Sequence, residues 1–176
     1  MGVYRGITQD NVTIQGGTLN SVTIAGTSAL NAASKVASNL RSGFSAAQQG
    51  ATIATAAGNN DVFVIVPANG VLSSADFSGV DALTANNSNY ITFSITNLGQ
   101  AGAGSAAMLA ATDANTTKAT GGTGLSANSR RSLTLNGTAA NLAVVAGDRL
   151  RIRAAVTGTL ANTVTFPVYN LNFTVA

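Results

Sequence analysis

Apolar and polar residues alternate along much of the chain beyond residue 51, and this period of two predicts β-strands. Between residues 90 and 96, Ile91, Phe93 and Ile95 alternate with threonine and serine. An antiparallel strand with one face in the core and one face in water has this pattern. We therefore expect a half-buried antiparallel strand at residues 90–96.

Other segments give strand signals of different kinds. Residues 62–66 are a continuous apolar run that stops at Pro67, and such a run predicts a central strand buried on both faces. Residues 146–148 predict a turn into a strand that points Leu150, Ile152 and Ala154 inward. The residues around 133–135 and 142–145 predict two further short strands.

The alternation changes phase near the C-terminal end of the sequence. Val164, Phe166 and Val168 share one phase, whereas Leu171, Phe173 and Val175 share the other. We expect a β-bulge or bend near residues 169–170, with Pro167 at an edge or in the bulge itself. The glycine-rich stretch 99–129 has little periodicity and predicts surface excursions. Together these segments predict an all-β fold, an antiparallel β-sandwich or jelly roll.

The first 27 residues carry a short internal repeat. Val-Thr-Ile occurs at residues 12–14 and again at 22–24, and glycine follows each copy. Ordering a residue costs about 1–2 kcal/mol, whereas burying a large aliphatic side chain returns only about 1.5–3 kcal/mol. Four such side chains cannot order this segment alone. We expect residues 1–27 to form an extended β-arm that is completed by other chains.

Residues 28–50 change to a helical period, with apolar residues at three- and four-residue steps up to Leu40 and Phe44. Ser28 is a candidate N-cap and Gly43 a candidate stop. A short helix here could lie on the axis of an oligomer or on the main domain as a linker. The predicted organisation is a β-arm at 1–27, a short helix or linker at 28–50 and a β-sandwich at 51–176. The predicted contacts of the arm and helix with a capsid or a trimer partner are Val12, Ile14, Val22, Ile24, Leu30 and Leu40.

The amino-acid composition limits which chemical functions the chain can have. The 176 residues include no histidine or cysteine, only 9% are charged, and the six acidic residues are all aspartates. Few groups remain for acid–base catalysis, so we expect no enzyme activity and no cofactor or metal. Nine basic residues in a sparsely charged chain do not make a nucleic-acid-binding stripe. With no long apolar run and no signal peptide, we expect synthesis in the cytoplasm and no membrane span.

Two acidic motifs have alternative interpretations. Asp76 and Asp81 are a close pair of carboxylates that a glycosidase could use, although roles in turns and caps are favoured. Residues 113–117, Asp-Ala-Asn-Thr-Thr, offer oxygen atoms at alternate positions for calcium, but the bidentate acid that usually completes such loops is missing.

Three arginines form the most distinctive charge pattern. Arg149, Arg151 and Arg153 are spaced two apart on a predicted strand, so their guanidinium groups should share one face. Such a face could bind acidic patches on a capsid lattice or a neighbouring subunit. The alternative is a solvated outer face whose charges discourage unwanted edge pairing.

Several strand and turn motifs resemble the β-sandwich of tailed-phage head-decoration (cement) and head-fibre proteins. They lie at residues 66–70, 90–95, 121–125 and 146–150, preceded by the Val-Thr-Ile repeats. The resemblance implies a virion protein that binds and stabilises the outer capsid surface as a homotrimer, with the major capsid protein as its partner. The alternative is a head- or tail-fibre tip whose 99–129 loops bind a host receptor or glycan.

Overall fold

The structure, a computed structural model, describes residues 43–175, which form two antiparallel β-sheets. The first sheet has the order β1-β9-β3-β6, with β7 also paired to β3, and the second has the order β2-β8-β4-β5. The strands are β1 (Gly43–Gln49), β2 (Gly58–Ile65), β3 (Gly70–Ser78), β4 (Tyr90–Asn97), β5 (Ala106–Ala107), β6 (Arg131–Leu133), β7 (Ala143–Val144), β8 (Arg149–Thr157) and β9 (Val168–Val175). A 3-10 turn covers Asp113–Asn115, and one short helix, α1, covers Ala139–Leu142.

Apolar side chains from both sheets meet in one core. Phe77 of β3 packs against Phe93 of β4, with ring centroids 4.7 Å apart, and against Tyr169 of β9 at 5.3 Å. All three side chains are almost completely buried. Because this cluster joins the two sheets, the predicted all-β sandwich is confirmed.

Two strands of the second sheet follow the sequence pattern closely. In β4 the side chains of Ile91, Phe93 and Ile95 are buried, and in β8 those of Leu150 and Ile152 are buried. β4 pairs with β8 along its whole length. The predicted half-buried strand at 90–96 and the inward face of β8 are confirmed.

The prediction that residues 62–66 form a central strand buried on both faces is wrong. β2 pairs with β8 on one side and is the first strand in its sheet. Val62 and Val64 point into the core, whereas Phe63 is 49% exposed and Ile65 is 62% exposed. A continuous apolar run does not reveal whether a second layer covers its outer face, and among the described residues none does.

The sandwich begins earlier than residue 51. β1 pairs with β9 from Gly43 to Gln49, and Phe44 stacks on Phe173 with ring centroids 4.6 Å apart. Residues 43–49 of the predicted helix or linker at 28–50 are therefore a strand, and Phe44 does not extend a helical row. The predicted arm, the helix before Gly43 and the six contacts Val12, Ile14, Val22, Ile24, Leu30 and Leu40 lie outside the described residues.

The predicted bulge at residues 169–170 is wrong. β9 keeps an unbroken register with β1 from Val168 to Thr174. The apolar phase changes earlier, at Phe166, which has a φ of 47° and a largely exposed side chain. This left-handed residue ends the preceding alternation, and β9 then starts in a new phase after Pro167. The register shift in this sheet lies in β3, between Leu72 and Ser74.

Two further expectations need correction. Residues 142–145 do not form one apolar strand, because α1 ends at Leu142 and β7 covers only Ala143–Val144. The 99–129 stretch is not only a surface excursion, since Met108 and Leu109 are buried in the core. Among residues 43–175, no helix is both long and apolar enough to cross a membrane.

Candidate binding surface

The outer face of the second sheet brings together the most unusual surface side chains of the described residues. β8 lies between β2 and β4, and its outward residues are Arg149, Arg151 and Arg153. The strand therefore places the three guanidinium groups on one face, as its alternation predicts. Their role in contacting a partner remains a prediction.

Arg153 is neutralised by a neighbour on β2. Its Nε and Nη2 atoms each donate to a different carboxylate oxygen of Asp61, at 2.6 Å. These hydrogen bonds and the charge of Arg153 hold the pKa of Asp61 below its ordinary value, and they raise the pKa of Arg153. A bidentate pair of this kind fixes geometry as well as charge.

The other two arginines have no acidic partner within 4.0 Å among residues 43–175. Arg149 lies over the Phe63 ring, with its guanidinium carbon 5.5 Å from the ring centroid. Arg151 lies opposite Phe63, and its Nε atom is buried without a hydrogen-bond partner in the described part of the chain. Neither positive charge is therefore neutralised by a contacting carboxylate in that part of the chain.

Phe63 and Ile65 give this face an exposed apolar edge. They alternate with buried valines on β2, and in the register of the sheet they lie opposite Arg151 and Arg149 respectively. Large apolar side chains beside unpaired arginines are typical of the centre of protein–protein interfaces.

The outer face of the first sheet is different, because several of its polar side chains bond to one another. Asn172 donates to the hydroxyl of Ser74 at 2.8 Å, and Ser132 donates to Asp76 at 2.9 Å. Arg130 adds an ion pair with Asp76 at 3.3 Å. These polar groups satisfy one another, whereas the exposed apolar pair and the two arginines without an acidic partner lie on the second sheet, which is therefore the better candidate surface for a partner.

A groove of about 370 Å³ runs along the outer side of β4. Thr92, Ser94 and Thr96 line one side. The chain from Ala107 to Lys118 forms the opposite wall, whose members include Leu109, Ala110, Ala111, Thr112, Asp113, Asn115 and Thr116. Lys118 donates to Asp113 at 2.8 Å and lies 4.9 Å from the centroid of the Tyr90 ring. Its contact with the Asp113 carboxylate raises the pKa of Lys118.

Asn115 anchors the wall of this groove. Its amide nitrogen donates to the carbonyl oxygens of Ala110 and Thr134, both at 2.8 Å, and its amide oxygen accepts from the Thr134 N–H at 2.7 Å. The Thr116 hydroxyl donates to the carbonyl oxygen of Asp113, and the Thr117 hydroxyl accepts from Ile91 N–H. These side-chain oxygens hold the loop in place instead of converging on an ion.

Arg131 ties the same loop to β6. Its Nη2 atom donates to the carbonyl oxygens of Ala114 at 2.9 Å and Thr116 at 2.6 Å, and its Nη1 atom donates to that of Thr123. Burial lowers the pKa of Arg131 from its usual value. The guanidinium lies over the Phe93 ring at 5.4 Å and so connects the loop to the core.

The aspartates considered for catalysis serve separate local structures. Asp76 is buried in the network of the first sheet, whereas Asp81 accepts from the N–H and hydroxyl of Thr165 at 2.7 and 2.6 Å. Those hydrogen bonds lower the pKa of Asp81. Within residues 43–175, no three metal-binding side chains come together as a cluster.

Comparisons of the chain with protein-family models, with curated proteins and with solved structures found no match.

Sequence reasoning found the arginines but missed the exposed pair on β2 and the groove. The signal for the exposed pair was the alternation of valine with larger residues at 62–65. No sequence signal predicted the groove, because its wall depends on hydrogen bonds between residues far apart in the chain, such as Asn115 and Thr134.

We expect Asp61→Asn to lower the free energy of unfolding at pH 7 by about 0.5–1 kcal/mol, since the ion pair is partly exposed. The folded-state pKa of Asp61 is depressed, so its contribution is fully present above the unfolded pKa of about 3.9 and disappears as pH falls below it. Urea unfolding at several pH values should show the two proteins converging at low pH. Asp113→Asn, which removes the same charge from a more exposed pair, is the control; an Asp61→Asn deficit that persists at pH 2 would contradict this assignment.

We expect Arg131→Met to lower the free energy of unfolding by about 2–3 kcal/mol, because it removes charged donors and leaves buried carbonyl groups unpaired. Amide exchange should accelerate first in residues 113–124. Arg149→Met, which removes an exposed arginine, should change stability by less than about 0.5 kcal/mol. Equal effects of the two substitutions would show that Arg131 does not hold the loop.

Proposed function

We propose that this chain is a structural subunit that works by binding other protein chains. The observation that carries the proposal is the exposed Phe63–Ile65 pair beside Arg149 on the outer face of β2. Following the resemblance drawn from the sequence, we propose a subunit that decorates and stabilises a tailed-phage capsid as a homotrimer. Its place would be the surface of the virion, with the major capsid protein as its other partner.

The apolar pair supports association between copies of the sandwich. Burying a large apolar side chain completely stabilises by about 1.5–3 kcal/mol, and these two side chains are roughly half exposed in the single chain. Covering both would contribute about 2–3 kcal/mol per subunit, which is enough to matter in an oligomer. Arg149, which already lies on Phe63, can supply polar contacts at the rim of such an interface.

The N-terminal arm is proposed as the contact with the capsid shell. A subunit held both by its copies and by an arm gains from effective concentration, because the second contact forms within an assembled complex. In this proposal the sandwich associates with copies of itself, and residues 1–27 attach the trimer to the shell.

The alternative function is a fibre tip that binds a host receptor or glycan. The groove along β4 is the observation that favours it, because the groove is built by the 107–118 part of the 99–129 stretch.

We expect the double variant Phe63→Thr, Ile65→Thr to shift the full chain from trimer towards monomer in sedimentation velocity. Threonine retains strand propensity, so the fold should survive while the apolar contact is lost. The apparent association constant should fall at least about tenfold, as the loss of about 1.4 kcal/mol requires.

The matched control is Val80→Thr, Val145→Thr, which changes two apolar residues that are 42% and 52% exposed and lie outside β2. It should leave the trimer intact. A wild-type chain that is monomeric at high concentration, or a trimer that withstands the β2 substitutions, would contradict the proposed interface.

Deletion of residues 1–27 should abolish attachment to emptied, expanded phage capsids in co-sedimentation. The deletion ends well before β1, which begins at Gly43, so the far-UV circular dichroism and cooperative unfolding of the sandwich should be retained. Attachment that persists after the deletion would refute the role assigned to the arm.

A further inference from the structure

Three hydroxyl groups lie in a row on the outer face of β4. The side chains of Thr92, Ser94 and Thr96 point outward along the groove, and among the described residues none of their hydroxyls has a hydrogen-bond partner. Alternate residues of a strand lie about 6.6–6.8 Å apart, so these groups form a regular row of donors and acceptors. Across the groove, Asp113 and Lys118 add a paired carboxylate and ammonium group.

The opposite wall also offers a small apolar surface. Ala110 and Ala111 contribute methyl groups to the groove beside the almost fully buried Leu109. A volume of about 370 Å³ falls within the range of small-molecule sites, about 300–1,000 Å³. The combination of a hydroxyl row, a charged pair and a shallow apolar wall suits a ligand with many hydroxyl groups and flat C–H faces.

A peptide strand is a poorer fit, because this edge of β4 is already paired at both ends of the groove. Met108 N–H donates to the Ile95 carbonyl at 2.8 Å, and Thr117 N–H donates to the Ile91 carbonyl at 2.8 Å. The backbone between these two bonds is too short an edge for a peptide to add as a strand. Recognition must therefore depend on side chains, which favours a saccharide.

The positive charge of the surrounding face favours acidic saccharides over neutral ones. Arg151 lies beside Thr96 in the sheet, and its Nε atom is buried without a partner in the described residues. Arg149 is also free of any acidic partner within that part of the chain, whereas Arg153 and Lys118 are each paired with an aspartate. The excess of positive charge next to the groove complements carboxylate groups.

We propose that the groove between β4 and residues 107–118 is a binding site for an acidic oligosaccharide. Thr92, Ser94 and Thr96 bind sugar hydroxyl groups, and Arg151 binds a carboxylate of the saccharide. The hydroxyl row is separated from the Phe63–Ile65 pair by β8, on which Arg151 lies between Thr96 of β4 and Phe63 of β2.

The test uses the full-length chain, labelled with ¹⁵N and titrated with tetragalacturonate, an acidic saccharide. Amide signals of residues 92–96 and 107–118 should shift and saturate. Maltotetraose, which is neutral, should bind at least about threefold more weakly, and tetraglutamate, which has the charge without the hydroxyl groups, should leave these signals unchanged.

Ser94→Ala combined with Thr96→Val should weaken tetragalacturonate binding by about 3- to 10-fold for each hydroxyl removed, as the loss of a hydrogen bond implies. The matched control is Ser45→Ala combined with Thr174→Val, which makes the same changes at exposed positions of the first sheet. Arg151→Gln should weaken binding of tetragalacturonate but not of maltotetraose.

The proposed site would be refuted if amide signals shifted only in other residues. It would also be refuted if the β4 substitutions left the affinity for tetragalacturonate unchanged. Equal binding of tetraglutamate would overturn the assignment to a saccharide and indicate an acidic peptide. Because the Phe63→Thr, Ile65→Thr experiment measures association of copies, failure of the trimer proposal would leave this result unaffected, and the reverse is also true.

Discussion

The candidate groove depends on two polar side chains, Asn115 and Arg131, that hold a loop with almost nothing apolar to bury. Residues 110–124 contain no large apolar side chain, so the hydrophobic effect cannot fix them against the sandwich. Asn115 satisfies three backbone groups, and Arg131 satisfies three carbonyl oxygens. Hydrogen bonds therefore determine the position of the groove wall, and the hydroxyl row of β4 gains a second side only because they form.

The sequence predicts the structure correctly where a single strand determines the outcome. The inward faces of β4 and β8 follow from alternation, because the side-chain period of a strand is two whatever its neighbours are. The predictions were wrong where a neighbouring element determines burial or secondary structure. Whether Phe63 is covered depends on a layer outside β2, and whether Gly43–Gln49 is helix or strand depends on the far-away β9. Tertiary pairing overrode the local helical period at Phe44.

The features of the candidate site were likewise predictable only in part. The arginines of β8 could be placed on one face from their spacing alone, but the partner of Arg153 could not, since Asp61 is brought to it by the register of β2. The loop at 113–117 offered oxygen atoms for calcium, yet the Thr117 hydroxyl accepts from Ile91 N–H of β4 and the Asn115 amide oxygen accepts from Thr134 N–H after β6. Which polar group meets which is a property of register, and register is set by contacts distant in sequence.

The pairing of β1 with β9 has a consequence for synthesis of the protein. Gly43–Gln49 leaves the ribosome more than a hundred residues before Val168–Val175, and β2 must likewise wait for β8. Neither β1 nor β2 can pair when it leaves the ribosome, because its partner strand has not yet been made. The nascent chain therefore exposes these unpaired, almost uncharged strands for several seconds at ordinary elongation rates. Folding of this sandwich is thus expected to be slow, because it cannot be completed before β8 and β9 have been made.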